Sequence, residues 1–241
     1  MVQLSVNVNK LATIRNSRGN NSPDVLRSAL EIISYGAQGI TVHPRPDQRH
    51  IRRQDVYDLA REIKVEFNIE GYPDATFLSL ACTVKPAQCT LVPDAADVLT
   101  SNAGWCMANN ISMLQQNIHE LHQSGIRTSL FIDPYKLDSA ELDLIQASGT
   151  DRVELYTQAY AESYGTINQD ATLKIYQDAA SKIHDIGVGV NAGHDLDLNN
   201  LRLFVQSIPE LEEVSIGHAL ICDALHFGMQ ETIGRYLDCC M

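Results

Sequence analysis

The chain has no apolar run near the roughly 20 residues that a membrane-spanning helix needs. Its first residues, MVQLSVNVNK, lack the charged start and long apolar stretch of a secretory signal. Together these absences lead us to expect a cytoplasmic protein that does not work in a membrane. Basic residues are scarce: 18 Lys and Arg stand against 30 Asp and Glu, a formal charge of −12. That balance argues against general nucleic-acid binding and against docking on anionic lipid, because the field of the whole chain repels polyanions. A phosphorylated ligand stays open, since a few arginines can invert the field inside a pocket. None of the six cysteines (Cys82, Cys89, Cys106, Cys222, Cys239 and Cys240) lies in a C-x-x-C pair, so free thiols in a reducing compartment are expected. There is no H-E-x-x-H, G-x-S-x-G or P-loop signature. His119 and His122, in HELH, fall on a helical stretch without a third ligand, which reads as a solvated helix face and not as a metal site. No linker, repeat or low-complexity tract divides the 241 residues, and we expect a single catalytic domain over residues 1–241.

What is present is an alternation. Runs with β character at 4–9, 39–43, 66–70, 89–93, 127–133, 152–157, 187–192 and 212–217 are separated by runs of helical period. Val25, Leu26, Ala29, Ile32 and Ile33 make one helical stripe, opened by Ser22-Pro23 and stopped at Gly36. Ile111, Leu114, Ile118 and Leu121 make another, stopped at Gly125. Asp138 and Glu141 resemble a capping box, and Leu173, Tyr176, Ala180 and Ile183 form a further stripe ending at Gly187. Strand–helix alternation implies a parallel sheet with right-handed crossovers. Eight such units, with no G-x-G-x-x-G after the first strand, favour a closed (β/α)8 barrel over an open doubly wound sheet.

Seven of the eight runs end on, or just past, a polar or ionisable residue: Asn7 and Asn9, His43, Glu70, Asp133, Glu154, His194 and His218. A barrel gathers its strand ends on one face, so these residues converge on one mouth, the pattern of an enzyme. The densest cluster is GITVHPRPDQRHIRR. His43 can transfer protons near neutral pH, and Arg45 can grip a phosphate through its planar fork. Arg52 and Arg53 read as a solvated helix start. Glu70 is expected at the mouth, because a buried strand does not otherwise carry a carboxylate. Glu154 could act there or brace Arg15, Arg18 or Arg45. VNAGH and IGHAL read as glycine–histidine turns, with Gly193, Gly217 and the N–H of His218 as candidate phosphate contacts. Residues 94–106 form a connection long enough to be a lid.

Six motifs in order resemble the pyridoxine 5′-phosphate synthase family of vitamin B6 biosynthesis: VNVNKLATIRNSRG (6–19), GITVHPRPDQRHI (39–51), FNIEG (67–71), SLFID (129–133), VNAGH (190–194) and IGHALI (216–221). The resemblance implies a TIM barrel with extra helices, assembled as a homo-octamer. It implies condensation of 3-amino-2-oxopropyl phosphate with 1-deoxy-D-xylulose 5-phosphate, without metal or organic cofactor. By motif, His43 and Glu70 resemble the family's proton acceptors, His194 its proton donor, and Glu154 a transition-state stabiliser. Asn7 and Arg18 match contacts to the amino-ketone phosphate; Arg45, His50 and Thr100 match contacts to the deoxyxylulose phosphate; Gly217 and His218 match a phosphate-binding turn. Two departures stand out. Asn9-Lys10 replaces an Asp-His common in the family, and Asp195 replaces a glycine, which alters expected substrate contacts at those positions. The competing readings are another phosphosugar barrel enzyme, either an epimerase or an imine-type aldolase with Lys10 as nucleophile, and a non-catalytic phosphate-binding barrel.

Overall fold

The eight β-like runs close into a parallel barrel in the computed structural model, which describes residues 1–93 and 103–241. The strands are β1 Gln3–Asn7, β2 Gly39–Val42, β3 Glu66–Gly71, β4 Gln88–Leu91, β5 Arg127–Ile132, β6 Arg152–Tyr156, β7 Gly189–His194 and β8 Leu211–Ile216. They pair in chain order, and β1 closes the ring against β8 through Gln3–Val6 opposite Glu213–Ile216. Among the described residues eleven α-helices surround them: α1 Asn9–Asn16, α2 Val25–Ser34, α3 Arg53–Glu62, α4 Ala75–Val84, α5 Met107–Gln123, α6 Ser139–Ser148, α7 Gln158–Ser163, α8 Gln169–Asp185, α9 Leu201–Ser207, α10 His218–Phe227 and α11 Met229–Cys239. Two helices follow each of β1, β6 and β8. This is the TIM barrel with extra helices that the alternation and the resemblance imply. None of these helices is long and apolar enough to cross a membrane.

The helix layer is held by apolar residues at alternate strand positions. Leu4 and Val6, Ile40 and Val42, Val153 and Leu155, and Val190 and Ala192 are buried in one core with Ile32, Leu59, Leu121, Ile183 and Phe204 of the helices. The other strand face lines the barrel, and it is polar. Ser5, Thr41, Asn68, Thr90, Ser129, Glu154, Asn191, Glu213 and Ser215 are all buried, where branched aliphatic side chains usually fill such an interior. Bonds between non-neighbouring strands show that these residues point inward: Thr90 of β4 reaches Glu154 of β6, and Arg127 of β5 pairs with Glu66 of β3. A strand carboxylate in this chain is therefore no sign by itself of the open mouth. The lining offers hydrogen bonds and countercharges to buried carboxylates along its length.

The helix boundaries follow local chemistry. Asp24, just after Ser22-Pro23, caps α2 by accepting from the Arg27 N–H, and Gly36 ends that turn at φ +112°. Gly125 and Gly187 follow α5 and α8 at φ +77° and +82°. The Asp138–Glu141 capping box is only half formed. Asp138 accepts from the Glu141 N–H, but the Glu141 carboxylate turns away and accepts from the Met107 N–H at the start of α5, 2.9 Å off. Three strands also differ from expectation by two residues at an end, the fourth by stopping at Leu91 and not at residue 93. The first strand stops at Asn7 and not at residue 9, because Asn7 Oδ1 accepts the Asn9 N–H at 3.0 Å and turns the chain at once into α1. The seventh strand starts two residues late, after the Gly187 turn, and runs on to His194. VNAGH is therefore strand and not turn.

Candidate active site

One end of the barrel collects titratable groups from many strands into a cavity. A cavity of ≈ 590 Å³ opens there, lined by Asn7 at the end of β1, Asn9 at the start of α1, His43, Glu70, Glu154, His194 and Gly217, with Lys10, Arg45, Arg49, His50, Asp195 and His218 among its other walls. A larger cavity of ≈ 790 Å³ adjoins it, sharing His43 and Arg45 and walled by Tyr72, Phe77, Leu80 and Trp105. The smaller one holds the convergent acids, bases and cations, and those place the chemistry.

His43 directly follows β2 and is buried. Its backbone N–H donates to Asn9 Oδ1 at 3.0 Å, and its Nδ1 lies 3.7 Å from Glu70 Oε2. Burial holds its pKa well below the usual histidine range, reinforced by the positive charges of Arg45, His50, His194 and Arg49. The imidazole is therefore neutral at physiological pH, the state of a proton acceptor. Glu70 Oε2 also accepts from Asn7 Nδ2 at 3.5 Å. These contacts join β1, β2 and β3 ends into one acid–base group. His50 is likewise pushed down, to about 4, by burial and then by Arg45, Arg49 and Lys10. Its Nδ1 accepts from the Ile51 N–H at 2.9 Å, which leaves Nε2 to carry the proton and donate.

Glu154 sits deeper, on the lining of β6. Burial raises its pKa to about 7, opposed by the charge of His194 and a hydrogen bond from Thr90. It does not brace Arg15, which is buried against Asp55, with Nη2 2.8 Å from Oδ2. His194 ends β7 at φ +101°, a backbone region that is uncommon outside glycine and concentrated at functional positions. The rings of Phe131 and Tyr156 flank it at 5.9 and 5.8 Å, and Asp195 Oδ2 lies 3.7 Å from its Nδ1. Asp195 thus adds a carboxylate beside the imidazole. At the other departure, Asn9 Oδ1 holds the end of β2 and Lys10, on the first turn of α1, faces the cavity.

Gly217 is the N-cap of α10, and His218 is its first residue. The first-turn N–H groups of a helix lack intrahelical acceptors and attract anions, so this end of α10 can hold a phosphate at the cavity wall. Gly217 packs directly on Asn7, whose Cβ lies 3.0 Å from where a Cβ would stand. Gly193 has a different task. A Cβ there would clash with Glu154 Oε1, so this glycine makes room for the carboxylate and is not a phosphate turn.

Arg18 follows α1 on the exposed surface and is not part of the cavity wall. Thr100, and the part of the 94–106 connection up to residue 102, lie outside the described residues. The end of that connection is anchored: Trp105 is buried, its backbone N–H donates to the Phe131 carbonyl at 2.9 Å, and its Nε1 donates to the Leu91 carbonyl at 2.8 Å. Arg52 is the N-cap of α3, and Arg53 is exposed. His122 pairs with Asp151 at 2.8 Å on the outer face, and among the described residues no group of three or more His, Cys, Asp or Glu could hold a metal. Thr13, Tyr156, Gln158 and Ser215 line the cavity without having been singled out from sequence. Spacing held the signal: Tyr156 is two residues past Glu154, Ser215 two before Gly217, and Thr13 one helical turn past Lys10.

Among solved structures, phosphoribosyl anthranilate isomerase from Thermotoga maritima aligns with TM-score 0.62 and 12% identity, over 100% of this chain and 98% of that one. A tryptophan synthase α-subunit from Pyrococcus furiosus aligns with TM-score 0.64 and 14% identity, over 98% and 97%. At such identities the likeness concerns the fold alone. Sequence relatives are far closer. Proteins named pyridoxine 5′-phosphate synthase from Porphyromonas gingivalis and Parabacteroides distasonis are 55% and 54% identical, each over 99% of this chain and at least 98% of their own length. The same name belongs to a Cytophaga hutchinsonii protein that is 52% identical over 98% of both chains. The family described as "Pyridoxal phosphate biosynthesis protein PdxJ" matches residues 4–241. With its mouth built from the motifs that suggested this kinship, the chain belongs to the PdxJ family.

Proposed function

We propose that the chain is a pyridoxine 5′-phosphate synthase that joins 3-amino-2-oxopropyl phosphate to 1-deoxy-D-xylulose 5-phosphate, releasing pyridoxine 5′-phosphate, phosphate and water. The observation that carries this reading is the convergence of His43, Glu70, Glu154 and His194 in one cavity with Lys10, Arg45, Arg49 and the α10 N-terminus. A passive phosphate-binding barrel has no use for a neutral buried histidine 3.7 Å from a carboxylate. The two substrates carry their own amine and ketone, so imine formation between them needs no lysine nucleophile. What the protein supplies is proximity, which makes a bimolecular step local, and repeated proton transfers for water loss, phosphate elimination and ring closure.

In this reading His43, held neutral, and Glu70 accept protons. His194 donates one, and Glu154 stabilises charge that develops between them. Lys10, Arg45, His50 and the first turn of α10 offset the charge of two phosphates. The Asn7 amide, bonded to Glu70, contacts substrate beside the base. Arg18 and Thr100 enter as phosphate contacts on the strength of the motif match. The resemblance also supports a homo-octamer acting in the cytoplasm, with no metal or organic cofactor. The test is direct: purified protein with both substrates is expected to yield pyridoxine 5′-phosphate, identified by mass, and one phosphate per product. No product at saturating concentrations of both substrates would sink the reading.

A further inference from the structure

Thr90 lies on β4, level with Glu70 of β3 in the strand register, and is buried in the barrel lining. Its hydroxyl reaches past β5 to Glu154 Oε2 of β6 at 3.4 Å and also lies 3.2 Å from Asn68 Oδ1. The contacts continue from Asn68 Nδ2 to Thr41 Oγ1 at 3.4 Å, and from Thr41 Oγ1 to Ser5 Oγ at 2.8 Å. A hydroxyl carries one proton and can accept as well. Thr90 thus has two acceptors for a single hydrogen, and one of them is a carboxyl that can itself donate.

We propose that Thr90 is the positioning residue for Glu154, a hydroxyl rotor that donates to the carboxylate when it is ionised and accepts from the carboxylic acid when it is protonated, then turning its own hydrogen to Asn68 Oδ1. Either state of Glu154 then keeps a partner in a region where an unpaired polar atom is costly. No bond is made or broken at Thr90; the hydroxyl only rotates. The packing is matched to this, since Gly193 leaves the space that Glu154 Oε1 occupies. Glu154 titrates near neutrality, where a group that must serve both states matters most. Among the described residues the charged or titratable neighbours of Glu154 include His194 on β7 and Glu213 on β8, whose ionisation the Glu154 charge disfavours; Arg152, on Glu154's own strand, lies 3.7 Å from Glu213.

The inference rests on Glu154 taking part in the proposed reaction, but its first test needs no turnover. Infrared difference spectra between acid and alkaline pH contain a carboxylic C=O band assignable to Glu154 by its loss in Glu154→Gln. In Thr90→Val, which replaces the hydroxyl by a methyl, that band is expected at higher frequency, with its midpoint raised by about one pH unit, the scale of one hydrogen bond to a charged group. Thr90→Ser restores both, and Thr90→Cys, a weaker donor and a second near-isostere should valine not fold, falls between. The turnover profile of Thr90→Val is expected to shift along pH by the same amount, with kcat about tenfold lower and KM little changed. An unmoved band and midpoint in the valine and cysteine variants would overturn the proposal, as would a loss of kcat that serine does not rescue. Absence of turnover in the wild type overturns the reaction while the infrared result still decides Thr90's role.

Discussion

Individual side chains here are defined by their partners. Glu70 and Glu154 are both glutamates on inward strand positions, yet one meets His43 and Asn7 at the mouth and the other a threonine and a glycine in the lining. Glu70→Gln keeps the shape and removes the base, so turnover is expected to fall at least ~100-fold with the folded state retained by circular dichroism; near-normal turnover would remove Glu70 from the mechanism. Lys10 separates the synthase from an imine-type aldolase, because it faces the cavity from α1. In the synthase reading the imine forms between substrates, so Lys10→His keeps measurable activity and borohydride added during turnover leaves no adduct on the protein by intact mass. A stable adduct mapped to Lys10 would point to the aldolase.

Elements place these side chains by where they stop. β1 stops at Asn7 because that side chain caps the next turn, and the early stop brings Asn9 under the end of β2. β7 runs on to His194 and sets Gly193 against Glu154. Gly193→Ala is accordingly expected to displace the Glu154 carboxylate and cost at least about tenfold in kcat, roughly 1.4 kcal/mol of transition-state stabilisation. Gly125→Ala is the control. Its site is open and its φ is +77°, so the cost is a backbone strain of about 1–2 kcal/mol in stability, with kcat unchanged. Equal activity in both variants would show that Gly193 serves only the strand.

Across the whole molecule, burial of titratable groups works against stability at both low and high pH. Glu154 ionises near 4.5 when unfolded but holds its proton to about 7 when folded. Between those values the folded chain keeps a proton that the unfolded chain releases, so stability falls as pH rises through the window and the deficit persists above it. Glu213 is pushed in the same direction by burial and by Glu66. His50 has the opposite sign: it is charged below 6.5 when unfolded but only below about 4 when folded, so stability is lost as pH falls through that interval. Glu154→Gln is expected to gain on the order of 1–3 kcal/mol over wild type near pH ~8 and nothing near pH ~4.5, measured by denaturant unfolding. A constant difference at both pH values would show that Glu154 is ionised throughout in the fold.

The chain's own pattern was enough for the barrel. Apolar alternation every second residue, helical stripes between, and glycines at helix ends are local signals, and each is expressed within a few neighbours of the residues that carry it. The strand-end position of His43, Glu70 and His194 was legible for the same reason, since a parallel barrel turns sequence order into a shared face. The interior was not legible. Ser5, Thr41, Asn68, Thr90 and Glu154 are separated in sequence by up to 64 residues in a single hydrogen bond, and nothing local distinguishes a buried polar lining from a solvated face. Burial in that lining raises the Glu154 pKa to about 7 and sets Gly193 against a carboxylate and not a phosphate, while Arg18 stays on the exposed surface after α1. Only closure of the ring decides these, because a pKa depends on what surrounds a charge in space, and closure brings β4 and β6 face to face.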